Sequence, residues 1–148
     1  MLSESFDLST LRALPLFEPL SDAELEFLRP ALTVDVHNVG DVLIQEGDVG
    51  TAMFILLVGE VKVVRGHRGD QETVVATLHP IQSFGDMSLF SGKPRSASVV
   101  CSETCRLLTL SRTGLEEVLL QHPTVCLHLL KDAHERLRDA LGATDESY

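Results

Sequence analysis

Residues 84–97, Phe-Gly-Asp-Met-Ser-Leu-Phe-Ser-Gly-Lys-Pro-Arg-Ser-Ala, gather the groups in this chain best suited to holding a small anion. Gly85 and Asp86 stand at the start of a short expected helical turn, and Arg95 and Ser96 follow about ten residues later. Glycine lets the backbone approach a ligand closely. The turn 86–89 would present unbonded N–H groups, and a helix N-terminus favours an anion. Arg95 supplies a planar fork of donors, and one charge-assisted bond of this kind contributes on the order of 1.5–3 kcal/mol. Ser96 adds a hydroxyl, and Asp86 suits a sugar hydroxyl. One anionic sugar-phosphate fits this set. A plainer reading stays open beside it: Gly85 marks only a turn, and Asp86 with Arg95 forms an internal ion pair closing a loop.

The rest of the chain offers no rival chemistry. The six histidines (His37, His67, His79, His122, His128, His134) have neither H-x-H nor H-E-x-x-H spacing, so no metal site and no cofactor are expected. A metal-dependent jelly-roll enzyme needs clustered His and Glu ligands, and Ser-His-Asp or paired-carboxylate catalysis has no local support either. No catalytic residue and no enzyme activity are expected. Net charge is −10, from 22 acids against 12 bases, which disfavours direct nucleic-acid binding. The same field opposes any anionic ligand, which must therefore find a local cation. Cys101, Cys105 and Cys126 form no C-x-x-C pair and are expected to be buried thiols. No apolar run approaches the roughly 20 residues of a membrane helix. The acidic start Met-Leu-Ser-Glu-Ser-Phe-Asp is unlike an export signal, so a cytoplasmic location is expected.

Three zones must position residues 84–97 within one expected domain, 1–148. Over 8–32 the pattern is helical: Ser21 to Glu24 fits a capping box, and Leu25, Leu28 and Leu32 recur on one face. Pro15 and Pro19 break the stretch before it into turns. Over 33–112, short runs such as Val42-Leu43-Ile44, 53–58, 61–64 and 73–78 are rich in branched residues and punctuated by glycines. That spacing predicts short antiparallel strands in a sandwich or barrel, with 67–70 as a polar hairpin tip. No helical crossover separates the strands, which argues against a parallel sheet. Over 113–141 the helical period returns, with a capping box at Thr113–Glu116, Pro123 in the first turn of a second helix, and Gly142 closing it before a frayed tail. Cys126, Leu130, Ala133, Leu137 and Ala140/Leu141 form a three-four stripe. It suits either one face docked on the barrel or, at 3.5-residue spacing, a two-helix seam of a homodimer through 123–141. Two heptads alone would not hold such a dimer.

An ordered set of motifs surrounds the 84–97 stretch: Leu16-Phe17 with Leu20-Ser21, Val39-Gly40-Asp41-Val42-Leu43, Glu46-Gly47-Asp48, Met53-Phe54-Ile55 and Gly59-Glu60-Val61. With Phe84 to Leu89 and Pro94-Arg95-Ser96-Ala97 they resemble the cyclic-nucleotide-binding domain family, over roughly residues 11–141. That family includes protein kinase A regulatory subunits and the sensor half of catabolite-activator-type regulators. The resemblance implies a mainly β fold, an antiparallel jelly-roll barrel with an N-terminal helical segment and a C-terminal helix pair. It implies a ligand site at Phe84, Gly85, Asp86, Met87, Ser88, Arg95, Ser96 and Ala97, in which the acid at 86 takes the ribose 2′-hydroxyl and the Ser88 N–H takes the phosphate. By the same analogy the base is capped from the last helix, where Ala140 and Leu141 stand.

Three departures matter. Asp86 replaces the family's usual Glu and is one methylene shorter. Ala140 and Leu141 cannot hydrogen-bond an adenine edge. The chain also ends at Tyr148, where bacterial transcription factors of this type continue into a helix-turn-helix domain. The expected function is a cyclic-nucleotide sensor, with cAMP preferred on Ser96 and cGMP as the second ligand, acting through a partner chain or its own dimer. The alternative is an interaction or dimerisation module that keeps the fold without ligand.

Overall fold

A computed structural model of the protein describes residues 6–14, 17–66, 71–85 and 92–141, and excludes the side chains of residues 8, 129, 132–134, 136, 137, 140 and 141. Two short helices come first, α1 (Leu8–Arg12) and α2 (Asp22–Leu28), followed by a 3-10 turn at Arg29–Ala31. Eight strands follow: β1 (Leu32–His37), β2 (Val42–Ile44), β3 (Ala52–Val58), β4 (Val61–Arg65), β5 (Thr73–Leu78), β6 (Ser83–Phe84), β7 (Ser98–Cys101) and β8 (Cys105–Ser111). Two helices end the described chain, α3 (Arg112–Gln121) and α4 (Pro123–Leu141).

The strands form two four-stranded sheets, in the orders β1-β8-β3-β6 and β2-β7-β4-β5, and each neighbouring pair is antiparallel. The expected fold class is what forms, with one refinement: the two sheets stack and do not close into a barrel. The wholly apolar β3 explains the layering. Its Met53 and Ile55 point to a core shared with Leu11, Phe17, Leu25, Leu28 and Leu115 of the helical segments. Leu56 and Phe54, on the other face, meet Val61, Val63, Val99 and Leu107 between the sheets. A strand buried on both faces has no polar side to alternate with.

The expected capping box on α2 is present: Ser21 Oγ accepts from the Glu24 N–H at 3.2 Å, and Glu24 Oε1 accepts from the Ser21 N–H at 2.9 Å. Three sequence expectations need correction. Leu32 does not continue the α2 stripe, because Pro30 interrupts the helix in a 3-10 turn and Leu32 opens β1 against Leu110. The cap of α3 is Ser111, whose Oγ accepts from the Gly114 N–H at 3.0 Å, and Thr113 already lies inside the helix. Of the cysteines, Cys101 and Cys105 are buried, but Cys126 is exposed on α4. The helix does begin at Pro123. The hairpin tip 67–70, Gly142 and the tail lie outside the described residues.

Among the described side chains of α4 the buried one is Val125, which enters the helix-side core. Beyond it each described side chain is exposed or half-exposed, with Leu127 64% and Leu130 63% accessible. The start of the apolar stripe, Cys126 and Leu130, therefore faces away from the sheets.

Candidate functional site

The loop between β2 and β3 and the segment before β7 form a small antiparallel clamp. Val49 bridges Pro94, the Gly47 N–H donates to the Arg95 carbonyl at 2.9 Å, and the Arg95 N–H donates to the Asp48 carbonyl at 2.7 Å. Ser98, fully buried at the start of β7, holds the same loop by accepting from the Glu46 N–H at 2.9 Å. With its backbone fixed on both sides, Arg95 turns its side chain inward, and only 6% of the residue remains accessible.

Two backbone carbonyls aim the guanidinium. Nη1 donates to the Gly85 carbonyl at 2.7 Å and Nη2 to the Ala52 carbonyl at 2.6 Å. A guanidinium is a planar fork of N–H donors, and these two bonds fix its orientation. A cation this deep is costly unless bonded, and carbonyl dipoles supply part of the solvation that water no longer gives. The arrangement ties the cassette at Gly85 to the start of β3 through one charged side chain.

The two glycines beside it have different reasons to be glycine. Gly85 has φ +84°, a left-handed conformation that side chains disfavour, and a Cβ there would stand 2.8 Å from Arg95 Nη1. Gly50 is required by proximity alone: a Cβ would stand 2.5 Å from Arg95 Cζ and 2.6 Å from Nη2. An open cleft of about 140 Å³ lies against this cation, with Leu43, Gln45, Asp48, Thr51 and Phe54 among its lining residues.

The structure thus brings Gly85 and Arg95 together. Phe84 stacks on Phe54 with ring centroids 5.3 Å apart and is buried, and Ala97 is 3% accessible; both side chains belong to the core between the sheets and brace the cassette from behind. Ser96 is exposed next to Arg95. Asp86, Met87 and Ser88 lie outside the described residues. Ala140 and Leu141 are in the last turn of α4, and their side chains lie outside the described set. Sequence reading missed Gly50 and the carbonyl of Ala52. A glycine two residues past an Asp in a β2–β3 loop reads as a turn, and carbonyl partners leave no mark in side-chain spacing.

Elsewhere the described residues hold no cluster of three or more His, Cys, Asp or Glu able to bind a metal. No described helix is long and apolar enough to cross a membrane. Burial pushes the Cys101 thiol up to about 12, with Cys105 adding to the rise, so thiolate chemistry is suppressed there.

Comparisons with known proteins give the family. The model of the family described as "Cyclic nucleotide-binding domain" matches residues 37–122. The cyclic AMP receptor protein of Thermus thermophilus is 32% identical over 130 residues, covering 88% of this chain and 60% of that protein. The chain thus spans a little over half of that relative's length. Human cGMP-dependent protein kinase 2 is 35% identical over 94 residues, covering 63% of this chain and 12% of the kinase. Among solved structures, the N-terminal domain of a transcriptional regulator from Streptomyces coelicolor superposes with a TM-score of 0.80 at 31% identity, covering 94% of this chain and 99% of that one. A family match over more than half of the chain settles the assignment: this chain belongs to the cyclic nucleotide-binding domain family.

Proposed function

We propose that the chain is a sensor of cyclic nucleotides, with cAMP preferred over cGMP, that passes ligand binding to its C-terminal helix. The observation carrying this reading is Arg95: a nearly buried cation, pre-aimed by the Gly85 and Ala52 carbonyls, in a chain of net charge −10. A molecule that repels anions at long range but keeps an oriented guanidinium inside is suited to a small anion and not to a polyanion. In this reading Arg95 and the Ser88 N–H take the phosphate, Ser96 donates its hydroxyl, and Asp86 takes the ribose. Phe84, Met87 and Ala97 shape the cassette, and Ala140 and Leu141 cover the base. No residue is assigned a catalytic role.

The preference for cAMP rests on Ser96 and on the broad match to a cyclic AMP receptor protein, whereas the cGMP-named kinase matches a shorter stretch. Output would pass through α4, whose exposed Leu127 and Leu130 suit a second copy of this chain or another partner helix. A cytoplasmic setting and no direct contact with nucleic acid complete the proposal.

Calorimetric titration with cAMP and cGMP tests it. Heat is expected with both, cAMP tighter, and Arg95→Ala should weaken binding by roughly ten- to a hundredfold, the worth of a charge-assisted bond. No heat with either nucleotide sinks the sensor reading. The competing reading, a fold-retaining interaction module without ligand, would then gain if Asp86→Glu created binding.

A further inference from the structure

Among the described residues, the contacts that attach helix α4 to the domain lie near its root, and they are chemically specific. Val125 enters the core. His122, just before the helix, lies flat on Phe27 of α2, with ring centroids 3.5 Å apart and planes 7° from parallel. One turn into α4, His128 Nδ1 stands 3.1 and 3.0 Å from the two carboxylate oxygens of Glu24, also on α2. An ionised carboxylate only accepts, so Nδ1 carries the hydrogen.

Glu24 has two roles that meet in one buried side chain. Its Oε1 caps α2 through the Ser21 N–H, and both of its carboxylate oxygens face His128. The other charges nearby are engaged elsewhere or exposed. On α2, Asp22 pairs with Arg12 of α1 at 2.6 Å, and Glu26 pairs with Arg29 at 3.0 Å. On α3, Glu116 and Glu117 are exposed, and on α4 so is Lys131, one turn beyond His128. Among the described residues, Glu24 is the charge in contact with His128.

We propose that the Glu24–His128 pair is a pH-dependent latch that sets the angle at which α4 leaves the domain. The inference rests on the reading that α4 carries the output. Protonating an imidazole that bonds a carboxylate converts the hydrogen bond into an ion pair. The latch is therefore tightest below the histidine range and above the carboxylate range, and it loosens as pH rises. Geometry amplifies the change. A helix of 19 residues is about 28 Å long, so a 10° rotation at its root moves its far end about 5 Å. Glu24 and His128 are positioning residues: they touch no ligand and act through the helix. Burial pushes the Glu24 carboxyl up, but the Ser21 N–H, Thr124 and His128 together hold it below its usual value, consistent with a carboxylate kept charged for this partner.

The test uses the full chain with nitroxides at the exposed positions Glu103→Cys and Arg138→Cys in a Cys126→Ser background, diluted into unlabelled protein. Pulsed dipolar distances are recorded at pH 5.5 and 8.5 without nucleotide. The main distance population at pH 5.5 should lose ground at pH 8.5 by roughly two- to fivefold, the range that partly exposed ion pairs reach. His128→Asn keeps a neutral donor and cannot protonate. Glu24→Gln keeps the helix cap and loses the charge. Both should show the same distribution at the two pH values. An unchanged parent distribution, or a shift that survives in either variant, overturns the latch. The nucleotide titration is a separate result: absent heat with cAMP would remove the sensor reading while leaving the distance measurement to decide the latch.

Discussion

Arg95 is a charge whose position depends on what its neighbours lack. Gly50 leaves room for the guanidinium, and a methyl there would meet the end of a flexible side chain. Gly50→Ala should therefore displace Arg95 and leave the strands in place. The expected result is nucleotide affinity reduced roughly tenfold or more, the loss of one charge-assisted bond, with a lowered thermal midpoint from the lost bonds to the Gly85 and Ala52 carbonyls. Gly59 is the control. Its φ is +101°, and a Cβ would stand 2.5 Å from the Thr104 carbonyl, which is backbone and does not yield. Gly59→Ala should cost at least about 1–2 kcal/mol from the left-handed conformation alone, read in a urea melt. Thiol chemistry divides the same way. Cys101 and Cys105 are each 1% accessible while Cys126 is exposed, so alkylation of the native chain should stop at one adduct per chain. The meeting of Arg95 and Gly85 was legible in the sequence because a planar cation and a close-approach glycine stand out by type. Gly50 was not, because its reason lies in a side chain contributed from a distant segment.

At the scale of elements, local signals were read well where one motif had no competitor. Ser21 and Glu24 form the predicted box on α2, and Pro123 opens α4. At α3 the spacing of Thr113 and Glu116 predicts a capping box. Tertiary structure chose Ser111, because β8 extends to Ser111 opposite Ala52 and the Arg112 N–H bonds the Thr51 carbonyl at 2.8 Å, which fixes where the strand ends. Ser111→Ala should cost about 1 kcal/mol and Thr113→Ala much less, measured as midpoint shifts in denaturant. The β3 run was read as a strand from its branched and apolar content. Its burial on both faces required knowing that helices cover one side of the sheet. Glu24 adds a pH prediction. Its carboxyl is held below its ordinary value in the folded chain, so its contribution is complete above the unfolded carboxylate range and is lost as pH falls through the folded value. The acid limb of a stability profile, below about pH 5, should be shallower in Glu24→Gln than in the parent.

At the scale of the molecule, net charge and the exposed face of α4 pull in opposite directions. Each copy carries −10, so two copies repel, while Cys126, Leu127 and Leu130 present apolar surface that nothing in the described protomer covers. The sequence stripe left two readings, docking on the sheets or a seam between copies; the outward position of Leu130 removes its part of the first. A seam of about two heptads is marginal by itself, so the balance with repulsion should be visible in salt dependence. Screening weakens the repulsion between like-charged copies, because the Debye length contracts from about 30 Å at 0.01 M to about 10 Å at 0.1 M salt. Apolar contact is left intact by the same change. Sedimentation equilibrium should therefore give dimerisation that strengthens as salt rises over this range. A pair of charges on the face, Leu127→Glu with Leu130→Glu, should leave the chain monomeric at every salt concentration with its thermal midpoint little changed, because both side chains are already exposed. Association that weakens with salt would point to attraction between charged surfaces, and a dimer that survives the double substitution would place the contact on another face.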